Sequence, residues 1–173
     1  YHLKWQEMTV SASHFLAQQY EKEGILQNKW CIIPPWIDTT IFTSRTEQNP
    51  HENIILFVSS LIEFKGVWVL ARALKHVVKE ISDAKVVFIG DEQDEKSIHR
   101  NNIENILNND LTSNHVLFLG KQDWQTIKTW HSKASVLVFP SVCMETFGLA
   151  WAEAMASGVP VIASAVGSVP ELI

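Results

Sequence analysis

Val136-Leu137-Val138-Phe139-Pro140-Ser141-Val142-Cys143-Met144-Glu145-Thr146-Phe147-Gly148-Leu149, continued by Glu153-Ala154-Met155-Ala156-Ser157-Gly158-Val159-Pro160-Val161-Ile162, decides the fold of this chain. An apolar, β-branched run meets a Pro-Ser break, a glycine at the mouth of an Ala-rich segment, a Gly-Val-Pro stop and a second apolar run. This order predicts strand, loop, helix, strand. In such a unit the loop and the helix N-terminus lie at the carboxyl end of the first strand, where unpaired N–H groups and the helix dipole favour an anion. Glu145 and Glu153 bracket that place in sequence.

Working outward, the same grammar repeats. Ile54-Ile55-Leu56-Phe57-Val58 is a continuous apolar run, and Val67, Leu70, Ala71, Leu74, Val77, Val78 and Ile81 mark one face of a helix after it. Lys85 to Ile89 reads as a strand ending in Gly90-Asp91. A polar helix follows over about Glu95 to Leu107, with Ile98, Ile103 and Ile106 inward. Val116 to Gly120 is the next strand, and Asp123 caps a helix carrying Trp124, Ile127 and Trp130 on one side. Strands apolar on both faces, alternating with amphipathic helices, predict an α/β fold: a Rossmann-like parallel sheet with helices on both faces. Ligands of such sheets bind at the carboxyl ends of the strands.

The amino-terminal part is less regular. Glu7 to Val10 reads as a short strand feeding a helix capped by Ser11 or Ser13, with Phe15, Leu16 and Tyr20 as its apolar stripe. Trp30 to Ile33 is strand-like and closed by Pro34-Pro35, and Thr39 to Glu52 has the composition of a linker. The tryptophans are expected mostly in the core or at an interface, with Trp36 the one exposed near a hinge. The chain opens on Tyr1 and stops at Pro170-Glu171-Leu172-Ile173 as another helix begins, the pattern expected of an excised piece.

Composition narrows the function. A hydrophobic content of 46% over 173 residues supports a sizeable core. A net charge of -5 argues against a nucleic-acid surface, whose footprint is a basic face. No apolar run reaches the ~18 to 20 residues of a membrane span, and Tyr1 to Lys4 has no apolar core after it as a signal peptide would. Cys31 and Cys143 are far apart and are expected to be buried thiols in a reducing compartment. The seven histidines show no paired metal spacing and no Asp-x-Asp pair occurs, so no metal site is expected. Gly-x-Ser-x-Gly, Walker-type and Gly-x-Gly-x-x-Gly motifs are absent.

With the helix expected to start near Phe147, Glu153 stands on its second turn and Glu145 in the loop before it. Eight residues of ideal helix span ~12 Å, too far for the two carboxylates to grip one small atom. They suit opposite ends of an extended ligand whose anionic middle rests on the backbone N–H groups of Phe147, Gly148 and Leu149, since carboxylate oxygens accept from sugar hydroxyls. The plainer alternative is a favourable charge near a helix N-terminus and a solvated helix residue. Lys65-Gly66 opens a helix, where a lysine can add charge to an anion site, although most lysines in such places are merely exposed. Gly90 and Gly120 either admit a ligand ring close to the backbone or are turn glycines.

Together these pieces resemble the nucleotide-sugar-dependent glycosyltransferases of family 4, which have the two-domain GT-B fold. Phe139-Pro140-Ser141, then Glu145-Thr146-Phe147-Gly148-Leu149, then Glu153 through Ser164 are similar to that family's Glu-x7-Glu segment. Leu61 with Lys65-Gly66, Phe88 to Asp91, and Val116 to Gly120 match its earlier signposts in order; Ser11, Ile32 to Pro34, Ile37-Asp38 and Phe42 are similar to the end of its first domain and the linker. The resemblance implies one half of a GT-B fold, with residues 1–50 the end of the acceptor domain plus linker and 51–173 the donor domain, cut short at its C-terminus.

The roles it implies are specific. Glu145 contacts hydroxyls of the donor sugar and Glu153 those of the ribose. Lys65 contacts the diphosphate, helped by the Thr146-Phe147-Gly148-Leu149 backbone. Gly90 and Gly120-Lys121 border the base. Retention of anomeric configuration without a metal or other cofactor is implied, with front-face attack and the leaving group stabilised by Lys65. The donor is a UDP-sugar, with GDP-sugar second, and the acceptor a saccharide or lipid-linked saccharide bound through an N-terminal domain that this piece lacks. The implied setting is cytoplasmic, in a bacterial O-antigen or cell-envelope polysaccharide pathway, with the whole enzyme peripheral on the inner membrane through parts absent here; the isolated piece is expected to transfer nothing. Two departures stand out: the family's Gly-Arg-Leu is Ser59-Ser60-Leu61, and its linker Asn-Gly is Pro35-Trp36, which stiffens the hinge. Two other classes stay open: an epimerase or phosphorylase of the same fold, and a non-catalytic sugar-nucleotide-binding module, for which Ser60 is the best argument.

Overall fold

The computed structural model of the chain describes residues 8–25, 30–43, 53–91, 100–107 and 114–173. They form two compact units: residues 1–36, 143–149 and 165–173 gather in the first, and 37–142 with 150–164 in the second.

The second unit contains the sheet. Its strands β3 (Ile54–Val58), β4 (Lys85–Ile89), β5 (Val116–Gly120), β6 (Val136–Phe139) and β7 (Val161–Ala163) are all parallel, in the order β5-β4-β3-β6-β7. From β3 the chain steps to β4 and β5 through α2 (Val67–Glu80) and α3 (Arg100–Leu107). It then returns across the sheet through α4 (Trp124–Lys133) to β6, and reaches β7 through α5 (Leu149–Ala156). Because parallel crossovers are right-handed, steps in opposite directions put their helices on opposite faces. The direction reverses between β3 and β6, the crevice where sheets of this kind take their ligands.

The core follows the apolar periodicity. Leu56, Val86, Phe88, Leu74, Val67, Ile103 and Leu107 are fully buried, and Phe88 lies between Phe57 and Phe118 at centroid distances of 5.4 and 5.1 Å. Helix α2 buries Val67, Leu70, Ala71 and Leu74, while Ile81, just past its end, is 43% exposed. Residues 95–99 of the expected polar helix, Ile98 among them, lie outside the described residues.

Burial along α4 and among the tryptophans does not follow apolarity. Asp123 does cap α4, accepting from the Thr126 N–H at 2.8 Å, but Trp124 is 49% exposed at its first position and the residue fully buried is His131. That imidazole lies 5.7 Å from the Phe42 ring, with Nδ1 3.4 Å from Ser157 Oγ. Phe42 is therefore core, within a stretch whose composition reads as linker; residues 44–52 are outside the described set. Among the described tryptophans only Trp151 is buried; Trp36 is 80% exposed.

In the first unit β1 (Thr9–Ser11) and β2 (Trp30–Ile32) pair in parallel around α1 (His14–Lys22). Ser13 caps α1, its hydroxyl accepting from the Leu16 N–H at 3.2 Å, while Ser11 donates to the Ser13 carbonyl. The buried residue of α1 is Ala17; Tyr20 is exposed, because nine residues present only a narrow inward strip. Helix α6 (Val169–Leu172) reaches back through Glu171, whose carboxylate accepts from the Phe15 N–H at 3.2 Å and lies 3.8 Å from His14. No helix among the described residues is long and apolar enough to cross a membrane.

Candidate functional site

The loops leaving β3, β4, β5 and β6 are stitched into one ledge at the carboxyl end of the sheet. Ser59 donates its N–H to Ile89 O, Leu61 to Asp91 O, and Gly90 to Gly120 O, each at 3.0 Å. Gly90 lies so close to the Ser59 carbonyl that a Cβ there would overlap it. Gly120, in the left-handed region at φ 67°, has open space where a Cβ would point. Lys121, next along, is exposed, as is Ser60.

The turn that carries Lys65 belongs to the same ledge. Glu63–Lys65 form one 3-10 turn ending at Gly66, whose φ of 71° starts α2. Gly66 abuts the Pro140 carbonyl with no room for a side chain, and Phe64 O accepts both the Val142 N–H at 2.9 Å and the Ser141 hydroxyl at 3.1 Å. The loop after β3 is thus bonded to the loop after β6 across the topological switch point. Lys65 is half-buried there.

Helix α5 begins at Leu149, two residues later than expected, because Gly148 at φ 101° cannot belong to a right-handed helix. Glu153 still stands on the second turn. It is half-buried, and burial pushes its carboxyl above the ordinary glutamate value of 4.5. A desolvated carboxylate lacking water is a strong acceptor for hydroxyl donors.

Glu145, Thr146, Phe147, Gly148 and Leu149 are carried by the first unit. Glu145 is 7% exposed, its carbonyl accepts from the Ser168 N–H at 2.8 Å, and the thiol of Cys143 lies 3.7 Å from its Oε1. Gly167, at φ 61°, packs on the Glu145 peptide where a Cβ would collide. Thr146 is exposed and Phe147 buried. The structure therefore gathers Lys65, Ser60, Gly90, Gly120, Lys121 and Glu153 in one compact unit and the 145–149 segment in the other. The residues that sequence reasoning missed are Gly167 and Ser168, whose Gly-Ser before Val-Pro was the available signal, and Cys143. The two cysteines are half-buried thiols, not buried ones.

Comparison with known proteins gives one family. The family described as "Glycosyl transferases group 1" matches residues 38–173. An uncharacterized glycosyltransferase of Methanocaldococcus jannaschii is 34% identical over 138 residues, covering 80% of this chain and 34% of the relative. N-acetyl-alpha-D-glucosaminyl L-malate synthase of Bacillus anthracis is 33% identical, covering 70% of this chain and 30% of its own length. Among solved structures, Anabaena HepE in complex with UDP and glucose superposes with a TM-score of 0.79 at 19% identity, over 99% of this chain and 48% of that one. At that identity the likeness is one of fold. This chain spans about a third of the length of those two curated relatives.

Proposed function

From the premise that this chain belongs to the glycosyl transferases group 1 family, we propose that it supplies the nucleotide-sugar site of a glycosyltransferase. The observation that supports this reading is the bonded seam of Glu63–Gly66, which includes Lys65, with Pro140–Val142 at the switch point. In this reading Lys65 neutralises the diphosphate, a role that the family resemblance also gives to the N–H groups of Phe147, Gly148 and Leu149. Glu153 accepts from the ribose hydroxyls, and Gly90 and Gly120-Lys121 border the base. Glu145 takes the sugar hydroxyls, a role resting on its place eight residues before Glu153 in the motif.

The reaction proposed is transfer of a hexose or N-acetylhexosamine, from UDP-sugar first and GDP-sugar second, to a saccharide or lipid-linked saccharide. The configuration is retained and no metal is used; Lys65 stabilises the departing diphosphate by charge. A bacterial cell-envelope pathway, with the complete enzyme cytoplasmic and peripheral on the inner membrane, is the setting that family analogy favours. The second reading, a sugar-nucleotide-binding module without transfer, is favoured by Ser60 where the family has arginine.

Calorimetry on the complete protein tests the site: UDP is expected to bind, and both Lys65→Ala and Glu153→Ala to weaken it. Binding of neither UDP nor GDP, or affinities indifferent to both substitutions, would overturn the assignment. Release of free sugar or transfer from a UDP-sugar separates the enzyme from the module.

A further inference from the structure

Burial alternates along the loop before α5: Cys143, Glu145 and Phe147 are buried or half-buried while Val142, Met144 and Thr146 are exposed. The Cys143 S–H donates to Glu145 Oε1 at 3.7 Å. The Glu145 main chain is fixed separately, by the Ser168 N–H on its carbonyl and by Gly167 against its peptide. With the peptide clasped, the direction of the carboxylate is decided by its side-chain torsions, and at 7% exposure it depends on protein donors more than on water.

We propose that Cys143 is a positioning residue: its thiol selects the Glu145 rotamer that presents the carboxylate to the hydroxyls of the donor sugar. The inference rests on the sugar-contacting role given to Glu145 above. It predicts that Cys143 affects the sugar-dependent step and leaves nucleotide affinity alone, because no part of the thiol is asked to touch the nucleotide.

Two measurements on the complete protein decide it. In infrared spectra the S–H stretch of Cys143, assigned by its loss in Cys143→Ser, is expected to move to higher frequency in Glu145→Ala; an unmoved band overturns the contact. Kinetics use whichever of UDP-glucose, UDP-N-acetylglucosamine and GDP-mannose gives the fastest donor turnover. There Cys143→Ala is expected to lower kcat roughly five- to tenfold, the scale of one weak hydrogen bond to a charged group, with the affinity for the bare nucleotide unchanged and Cys143→Ser restoring most of the rate. If Glu145→Ala turns over normally, the role of Glu145 fails and the inference with it. If Glu145→Ala is impaired and Cys143→Ala matches the parent, the inference alone fails. Turnover of none of the three donors counts against the proposed donor class, while the infrared measurement still decides the contact.

Discussion

Glu153 shows how much a single residue's environment adds to its identity. Its spacing from Glu145 was legible in the sequence; its desolvation was not, because burial is set by neighbours brought in from elsewhere in the fold. The folded protein holds the Glu153 proton more tightly than the unfolded chain does. Its contribution to stability is therefore fully present in acid, below the ordinary value of 4.5, and is lost as pH rises past that value. Glu153→Gln is expected to raise the thermal midpoint at pH 7, with the gap closing as pH falls toward 4; a gap that ignores pH would contradict the assignment. The same variant should weaken UDP binding by roughly tenfold or more, since an amide is a poorer acceptor for ribose hydroxyls than a carboxylate. A stabilised protein that binds its ligand less well is the signature expected of a residue kept for function.

At the scale of elements, the glycines and caps separate cleanly. Gly66 and Gly120 share a positive φ, but Gly66 also abuts the Pro140 carbonyl while Gly120 faces open space. Gly120→Ala should cost about 1 kcal/mol, the left-handed penalty alone. Gly66→Ala should cost at least about 2 kcal/mol more, because backbone must move to admit the methyl group. Denaturant unfolding of the pair measures the difference; equal costs would mean the seam between the two loops yields easily. Asp123→Ala removes the carboxylate bonded to the Thr126 N–H and should destabilise by about 1 kcal/mol. The cap was readable because Asp before a periodic segment has one common use. Burial along α4 was not legible in the same way: Trp124 is the more apolar residue, yet His131 is the one buried, against Phe42.

For the molecule as a whole, the proposed chemistry rests on charge that the protein itself provides. Transfer by the complete enzyme is accordingly expected to survive EDTA, and the product to keep the anomeric configuration of the donor. Both can be read from one series of proton NMR spectra, and activity abolished by EDTA and restored by a divalent cation would require a different account of the leaving group. The gathering of residues 143–149 and 165–173 with the amino-terminal 1–36 in one unit is a property of this same scale. It joins Glu145 to Gly167 and Ser168, and Glu171 to the start of α1, across long stretches of sequence.

The alternation of continuous apolar runs with amphipathic helices determined a parallel, doubly covered sheet, since hydrophobic period and turn chemistry are local and act wherever they occur. The segment from Val136 to Ile162 likewise carried its strand, loop and helix in its own residues. Strand order was not in the sequence: that β6 inserts beside β3, making the switch point, depends on which edges are free when the chain returns. So did the clasp on Glu145, whose partners lie more than twenty residues away, and the raised affinity of Glu153 for its proton. Those depend on packing between distant segments, which no local pattern encodes.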